Sequence, residues 1–222
     1  MPAIAPVHRE FIENMPEGST LTLRDIDWDE YKSVLEELNG LRRVRVTYIQ
    51  GSLVIMTTSA EHDSWKSLFA HLVATLAEEM NLPLIGRGSL TLKRKRKGKG
   101  TEPDDCYYLQ HAADIRGKKR IDIDSDPPPD LAIEVDITSP SLARLPIYAA
   151  LGVPELWRFD GQVMIFYSLV NERYEEISAS ELFPFVSPAI ITDFLLLGDS
   201  EDITAMNKAF RQWVQAHKEP RQ

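Results

Sequence analysis

The chain has almost none of the residues that staple a fold covalently. Cys106 is its only cysteine, which excludes an intrachain disulfide and a cysteine-based zinc site. A lone thiol in a β-prone run reads as a small buried filler. Apolar runs are too short to cross a bilayer, and the first residues lack a cleavable signal pattern. The expectation is a cytoplasmic protein with no membrane segment and no disulfide-linked partner. Basic character is also missing overall. With 25 Lys and Arg against 34 Asp and Glu, the net charge is −9, which argues against a broadly basic nucleic-acid coat. Repeats, low-complexity tracts and linkers are absent as well.

What remains is ordinary for a globular chain: 222 residues, 43% apolar and 27% charged. Local patterns give a mixed order of elements. Asp29–Leu38 reads as a short helix, and Arg43–Ile49 with Leu53–Thr57 as a hairpin turning at Gln50-Gly51-Ser52. A strong helix follows the capping-box pattern Thr58-Ser59-Ala60-Glu61, with Trp65, Phe69, Leu72, Val73, Leu76 and Met80 at helical spacing. Leu84–Leu92 and Asp105–Gln110 read as strands on either side of a basic loop, and Ala112–Asp126 as a polar connection. Leu131–Ile137 has the nearly continuous apolar character of a central, doubly covered strand. Ser139-Pro140-Ser141 and Pro146 signal a helix start, Gly152 its stop. A meander through Leu156–Phe159, Val163–Leu169 and Arg173–Ile177 and an amphipathic helix over Ile203–Ala216 complete the chain. Residues 1–20 read as irregular, and the expected organisation is an N-terminal arm over 1–28, a main α/β (α+β) domain over 29–180, and a C-terminal extension over 181–222 packed on it.

Charge is uneven. Lys93, Arg94, Lys95, Arg96, Lys97 and Lys99 place six cations in seven residues. A solvated hairpin loop is one reading; a phosphate-positioning arm with salt-dependent, sequence-independent affinity is the other.

Carboxylates are the more telling group. Glu102-Pro103-Asp104-Asp105 and Pro127-Pro128-Pro129-Asp130-Leu131-Ala132-Ile133-Glu134-Val135-Asp136 set acids at the edges of apolar runs, where burial is costly unless a cation or metal compensates. Phosphodiester hydrolysis uses a hard cation between carboxylates, which acidifies a water and neutralises the phosphate oxygens. Magnesium keeps several waters, so Asp104, Glu134 and the Val135 carbonyl are a sufficient donor set. The alternative is strand-end acids that cap backbone groups or pair with Lys and Arg. Asp136 is either a third ligand or a cap for a helix start at Thr138-Ser139; strand alternation puts it on the face of Glu134. Glu61 is assigned to the capping box, and Glu102 and Asp105 to solvated or salt-bridged positions. His71 and His111 have no partner at a recognisable spacing. Tyr107 and Tyr108 could stack on bases; one facing the core and one facing outward is the simpler account. Trp65, Trp157 and Trp213 read as core anchors.

Four phrases in order, Thr101–Tyr108, Pro128–Val135, Thr138–Ser141 and Tyr148–Trp157, resemble the Uma2 family of restriction-endonuclease-like proteins in the PD-(D/E)xK superfamily. The resemblance runs from about Asp29 through Tyr174. It implies a restriction-endonuclease-like core for the domain over 29–180, a mixed sheet flanked by helices, and Mg²⁺- or Mn²⁺-dependent cleavage of DNA, often by a homodimer. On this resemblance Asp104 is the motif aspartate, Glu134 the glutamate of the (D/E)xK element, and His62 matches a frequent family histidine. Two departures stand out. Asp136 occupies the place of the superfamily lysine, and Arg144 the place of a lysine that the family often carries on the next helix. Arginine holds phosphate but is a poor base. A nucleic-acid-binding or regulatory protein of the same fold, without efficient cleavage, is the competing reading. A structural oligomer in which the acids form salt bridges is a third.

Overall fold

The computed structural model describes residues 9–41, 43–137 and 141–218. Residues 1–8 of the expected arm, and the helix-start signal at Thr138, Ser139 and Pro140, lie outside them. Two sheets form the frame. The first has the order β1 (Thr20–Leu23), β3 (Ser52–Thr57), β2 (Val44–Ile49), β6 (Lys99–Thr101), β5 (Leu92–Arg94), all antiparallel. The second runs β11 (Arg173–Ile177), β10 (Met164–Val170), β9 (Glu155–Phe159), β8 (Leu131–Val135), β7 (Asp105–Tyr108), β4 (Ile85–Gly86). Here β8 and β9 are parallel and the other pairs antiparallel, so this sheet is mixed, as expected.

The β2–β3 hairpin turns at Gln50 and Gly51, both with positive φ (44° and 91°), the conformation that a tight two-residue hairpin requires. Helices α1 (Arg9–Glu13) and α2 (Trp28–Glu37) cover one face of the first sheet. Asp27 and Glu30 form a full capping box at the start of α2, and Tyr31 stacks on Tyr48 at 4.7 Å. The other face of that sheet is left to line a groove.

Strand alternation divides the second sheet into two interiors. Leu131, Ile133 and Val135 of β8, with Trp157 and Phe159 of β9, face α3 (Ala60–Glu79), α6 (Pro188–Ser200) and α7 (Ile203–His217) in the main core. Trp65 and Trp157 are buried there, and Trp213 packs against it. Ala132 and Leu156 face the opposite way, towards α5 (Leu145–Leu151). Glu134, Asp136 and Arg158 share that second side. Tyr108 packs there too, against Ala112 and Ile115 of α4 (Ala112–Ile115). No helix among the described residues is long and apolar enough to cross a membrane.

Several expectations need correction. Residues 1–20 are not irregular throughout, since Arg9–Glu13 forms α1 and β1 begins at Thr20. Leu84–Leu92 is not one strand: the chain bends at Gly88 (φ 57°) and joins β4 in one sheet to β5 in the other. The cap of α3 is Ser59, which accepts from His62 N–H at 3.2 Å, so Glu61 does not close a box with Thr58. Both tyrosines are enclosed, Tyr107 among the main-core residues and Tyr108 on the opposite side, so neither is presented to a base. Helix α6 was not anticipated. Cys106 is the buried filler expected, and burial pushes its thiol up to about 12.

Candidate functional site

The site is built where the first sheet hands over to the second. After β6, Glu102 and Pro103 lead into Asp104, which immediately precedes β7. Asp104 N–H donates to the Ile133 carbonyl (3.1 Å), and Val135 N–H donates to Asp104 Oδ2 (2.8 Å). Asp104 and Glu134 therefore stand side by side on adjacent strands, on the α5 side of the sheet. Both are enclosed, at 1% and 0% exposure.

Nitrogen-bearing side chains surround them. His62, in the first turn of α3, places Nε2 2.9 Å from Asp104 Oδ2. Arg45 Nε, from β2, lies 3.4 Å from Asp104 Oδ1, an oxygen that accepts no hydrogen bond among the described residues. Arg144 ends a 3₁₀ turn (Ser141–Arg144) and stands at the N-cap of α5. Its Nη2 donates to Glu134 Oε2 at 2.6 Å and lies 3.7 Å from Asp136 Oδ1. The Tyr148 hydroxyl, one turn along α5, donates to Glu134 Oε1. Arg158, opposite Glu134 in the parallel register of β9, pairs with Asp136 Oδ2. Among the described residues, Asp104, Glu134 and Asp136 thus face Arg45, Arg144 and Arg158.

Electrostatics separate the two central acids. Burial opposes ionisation of Asp104, but His62, Arg144 and Arg45 outweigh it and hold its pKa at about 2. For Glu134 burial wins: it raises the carboxyl well above its ordinary range against the pull of Arg144, and the neighbouring Asp104 charge adds to the rise.

The site brings together His62, Asp104, Glu134, Asp136 and Arg144. Val135 contributes its N–H to Asp104. Asp136 is held by arginines on the Glu134 side; a capping role at Thr138-Ser139 falls outside the described residues. Sequence reasoning did not single out Arg45, Tyr148 or Arg158. Glu102 and Asp105 are neither solvated nor salt-bridged in the way expected. Glu102 accepts from Thr91 Oγ1 (2.6 Å) and Val46 N–H (3.1 Å), Asp105 from the Tyr107 hydroxyl (2.6 Å). Each hydrogen bond offsets part of the burial cost. His111 has a partner after all, Asp130, whose other oxygen accepts from Leu109 N–H (2.7 Å). His71 is within 3.1 Å of Asn207 Nδ2.

The basic run forms the β5–β6 hairpin, with a 3₁₀ turn over Lys95–Lys97 and Gly98 in the left-handed region (φ 58°). Part of it serves the fold: Arg94 donates to the Ile123 carbonyl (3.1 Å) and Lys99 to that of Pro146 (2.9 Å). Lys95, Arg96 and Lys97 are exposed. Two depressions flank the start of α5. The larger, about 610 Å³, lies between the hairpin, α5 and β11, away from the carboxylates. The smaller, about 250 Å³, has the open face of the first sheet as its floor (Thr47, Val54, Met56) and includes Arg45, Arg144 and Ile147 in its wall. The smaller one adjoins the chemistry.

The donor set suits a hard divalent cation in kind. Asp104 Oδ1 is a buried carboxylate oxygen without a hydrogen bond, and Glu134 is its neighbour; magnesium commonly takes one or two protein carboxylates and completes its shell with water and phosphate. No group of three or more His, Cys, Asp and Glu side chains poised for a metal occurs among the described residues. Both Glu134 oxygens, moreover, are already engaged. A cation therefore fits only with Arg144 moved from Glu134.

A crystal structure described as a putative nuclease belonging to DUF820 from Anabaena variabilis ATCC 29413 is similar at 15% identity and a TM-score of 0.48, over 68% of this chain and 90% of that one. No curated protein matches the chain. The sequence model of the Uma2 family, described as "Putative restriction endonuclease", matches residues 28–196. That span takes in α2 through most of α6 and every residue of the ionic site, and the chain belongs to the Uma2 family.

Proposed function

We propose that the chain is a divalent-metal-dependent endonuclease that hydrolyses phosphodiester bonds in DNA, with Mg²⁺ or Mn²⁺ held by Asp104 and Glu134. The observation that carries this reading is the pairing of these two buried acids across β7 and β8, beside a groove whose wall holds two arginines. A bound divalent cation would supply a more acidic water and polarise the phosphate. The chain's own residues supply the rest. His62 and the Val135 N–H fix the Asp104 carboxylate, and Tyr148 orients Glu134. Arg144 and Arg45 offer positive charge to a phosphate in the groove, and the Val135 carbonyl is the third oxygen that the reading assigns to the cation. The exposed Lys95, Arg96 and Lys97 extend phosphate contact along the flanking nucleic acid.

A second reading has its own observation. Asp136 stands where a lysine base would be expected and is paired with Arg158, and Glu134 is already paired with Arg144. This favours a DNA-binding member of the family that does not cut efficiently. Nicking of supercoiled plasmid in Mg²⁺ and in Mn²⁺, wild type against Glu134→Ala, separates the two. Metal-dependent nicking lost in Glu134→Ala supports the endonuclease. Duplex binding without nicking supports the second reading, and equal nicking by both proteins would exclude this site.

A further inference from the structure

We propose that Arg144 is a positioning residue shared between metal and phosphate: it occupies Glu134 until a divalent cation takes its place, and it then turns to the substrate's phosphodiester. The inference rests on the endonuclease reading and goes beyond it, because it makes metal binding and nucleic-acid binding cooperative.

The argument begins with occupancy. Glu134 has two oxygens; Arg144 Nη2 holds one at 2.6 Å and the Tyr148 hydroxyl the other. Tyr148 is fully buried and a neutral donor, so its hydrogen bond tolerates a cation on the same carboxylate. Arg144 does not, since two like charges on one buried oxygen repel strongly at low dielectric. Entry of a cation at Glu134 therefore requires the guanidinium to leave.

Where it goes is limited by cost. A guanidinium separated from its partner in a poorly solvated place is heavily penalised. Asp136, at 3.7 Å, is already paired with Arg158 and compensates only part of the charge. The groove is the remaining direction, because Arg144 forms part of its wall together with Arg45. A phosphodiester there offers the two-oxygen acceptor that a planar guanidinium matches. Each ligand thus removes an obstacle to the other. The cation frees Arg144 for phosphate, and phosphate compensates the Arg144 that the cation displaced. Linkage makes the effect reciprocal.

Mn²⁺ binding, read as loss of the free-ion EPR signal, tests this without reference to turnover. For the wild-type chain, a duplex with a charged, cleavage-resistant phosphorothioate backbone should tighten Mn²⁺ binding at least about fivefold, within the usual range of such couplings. The same duplex with an uncharged methylphosphonate backbone should not. In Arg144→Gln, Mn²⁺ should bind at least about tenfold more tightly without nucleic acid, and the charged duplex should add little. The duplex comparison needs no variant, so it stands even if Arg144→Gln folds poorly. Tight Mn²⁺ binding by the wild type alone, lost in Glu134→Gln and indifferent to the duplex, would overturn the role of Arg144 while leaving the metal reading intact. No Mn²⁺ binding by any form, with or without duplex, would overturn both.

Discussion

His62 Nε2 stands 2.9 Å from Asp104 Oδ2, so the first turn of α3 is tied to the strand edge on which the ionic site is built. The tie joins helix and sheet at a point with 5% and 1% exposure. Replacing His62 by alanine leaves a cavity and takes one partner from a buried carboxylate that keeps Arg45 and the Val135 N–H. The expected cost is about 1–3 kcal/mol, read as a lower urea midpoint with an unchanged slope. Under the endonuclease reading, metal-dependent nicking should fall with it. Unchanged stability would mean that the contact holds nothing in place.

Tyr148→Phe isolates one hydrogen bond. The ring stays in the α5 core and only the donor to Glu134 is lost. Because the acceptor is a buried carboxylate, the expected loss is about 1.5–3 kcal/mol. Urea denaturation of the two proteins side by side measures it, and a difference near zero would show that Glu134 finds another donor.

The far end of α3 carries a pH-dependent clamp. Glu79 accepts from Lys218 Nζ (2.9 Å), Arg211 Nη1 (2.7 Å) and Gln215 Nε2 (3.2 Å), holding α7 against α3. The Lys218 hydrogen bond is the main reason that the Glu79 carboxyl falls from 4.5 to about 2. A depressed folded-state pKa gives stability that is fully present above 4.5 and lost as the pH falls towards 2. Between pH 5 and pH 3 the melting temperature of the wild type should therefore drop more than that of Glu79→Gln. Parallel curves would rule out the clamp as an acid-labile element.

The hairpin tip makes a prediction about salt. Under the DNA-binding reading, neutralising Lys95, Arg96 and Lys97 to glutamine should weaken duplex binding to a similar degree for every sequence. The slope of log affinity against log salt should shrink by about 3. A changed sequence preference with an unchanged slope would place these cations elsewhere than on phosphate.

Much of this arrangement was legible in the chain, and the failures have physical reasons. The alternation of Leu131, Ile133 and Val135 against Ala132, Glu134 and Asp136 is a local property, so the face of the acids could be read directly. The spacing from Trp65 to Leu76 likewise announced α3. Helix α6 escaped because Ile190, Ile191, Phe194, Leu195, Leu196 and Leu197 leave little polar face for a 3.6-residue period, although Ser187-Pro188 offered a start signal. Arg45 and Arg158 escaped for another reason. Each looks like an ordinary strand arginine until pairing is known, and the register that sets Arg158 opposite Glu134 depends on a parallel crossover that no local pattern encodes. Tyr148 lay inside a family phrase, but its hydroxyl acquires a role only when α5 folds back over β8.

The handover from β6 to β7 has a mechanical consequence. Lys99–Thr101 pairs with β2 and β5 on its two sides, and after Glu102 and Pro103 the chain reaches Asp104, which is clipped to Ile133 and Val135. The seven residue-to-residue steps from Lys97 to Asp104 reach roughly 23 Å at most if extended, braced along much of that path. A displacement of the hairpin tip is thus shared between the first sheet and the short segment that leads to the carboxylate. The chain has a tether whose outer end is cationic and whose inner end is a buried carboxylate beside His62.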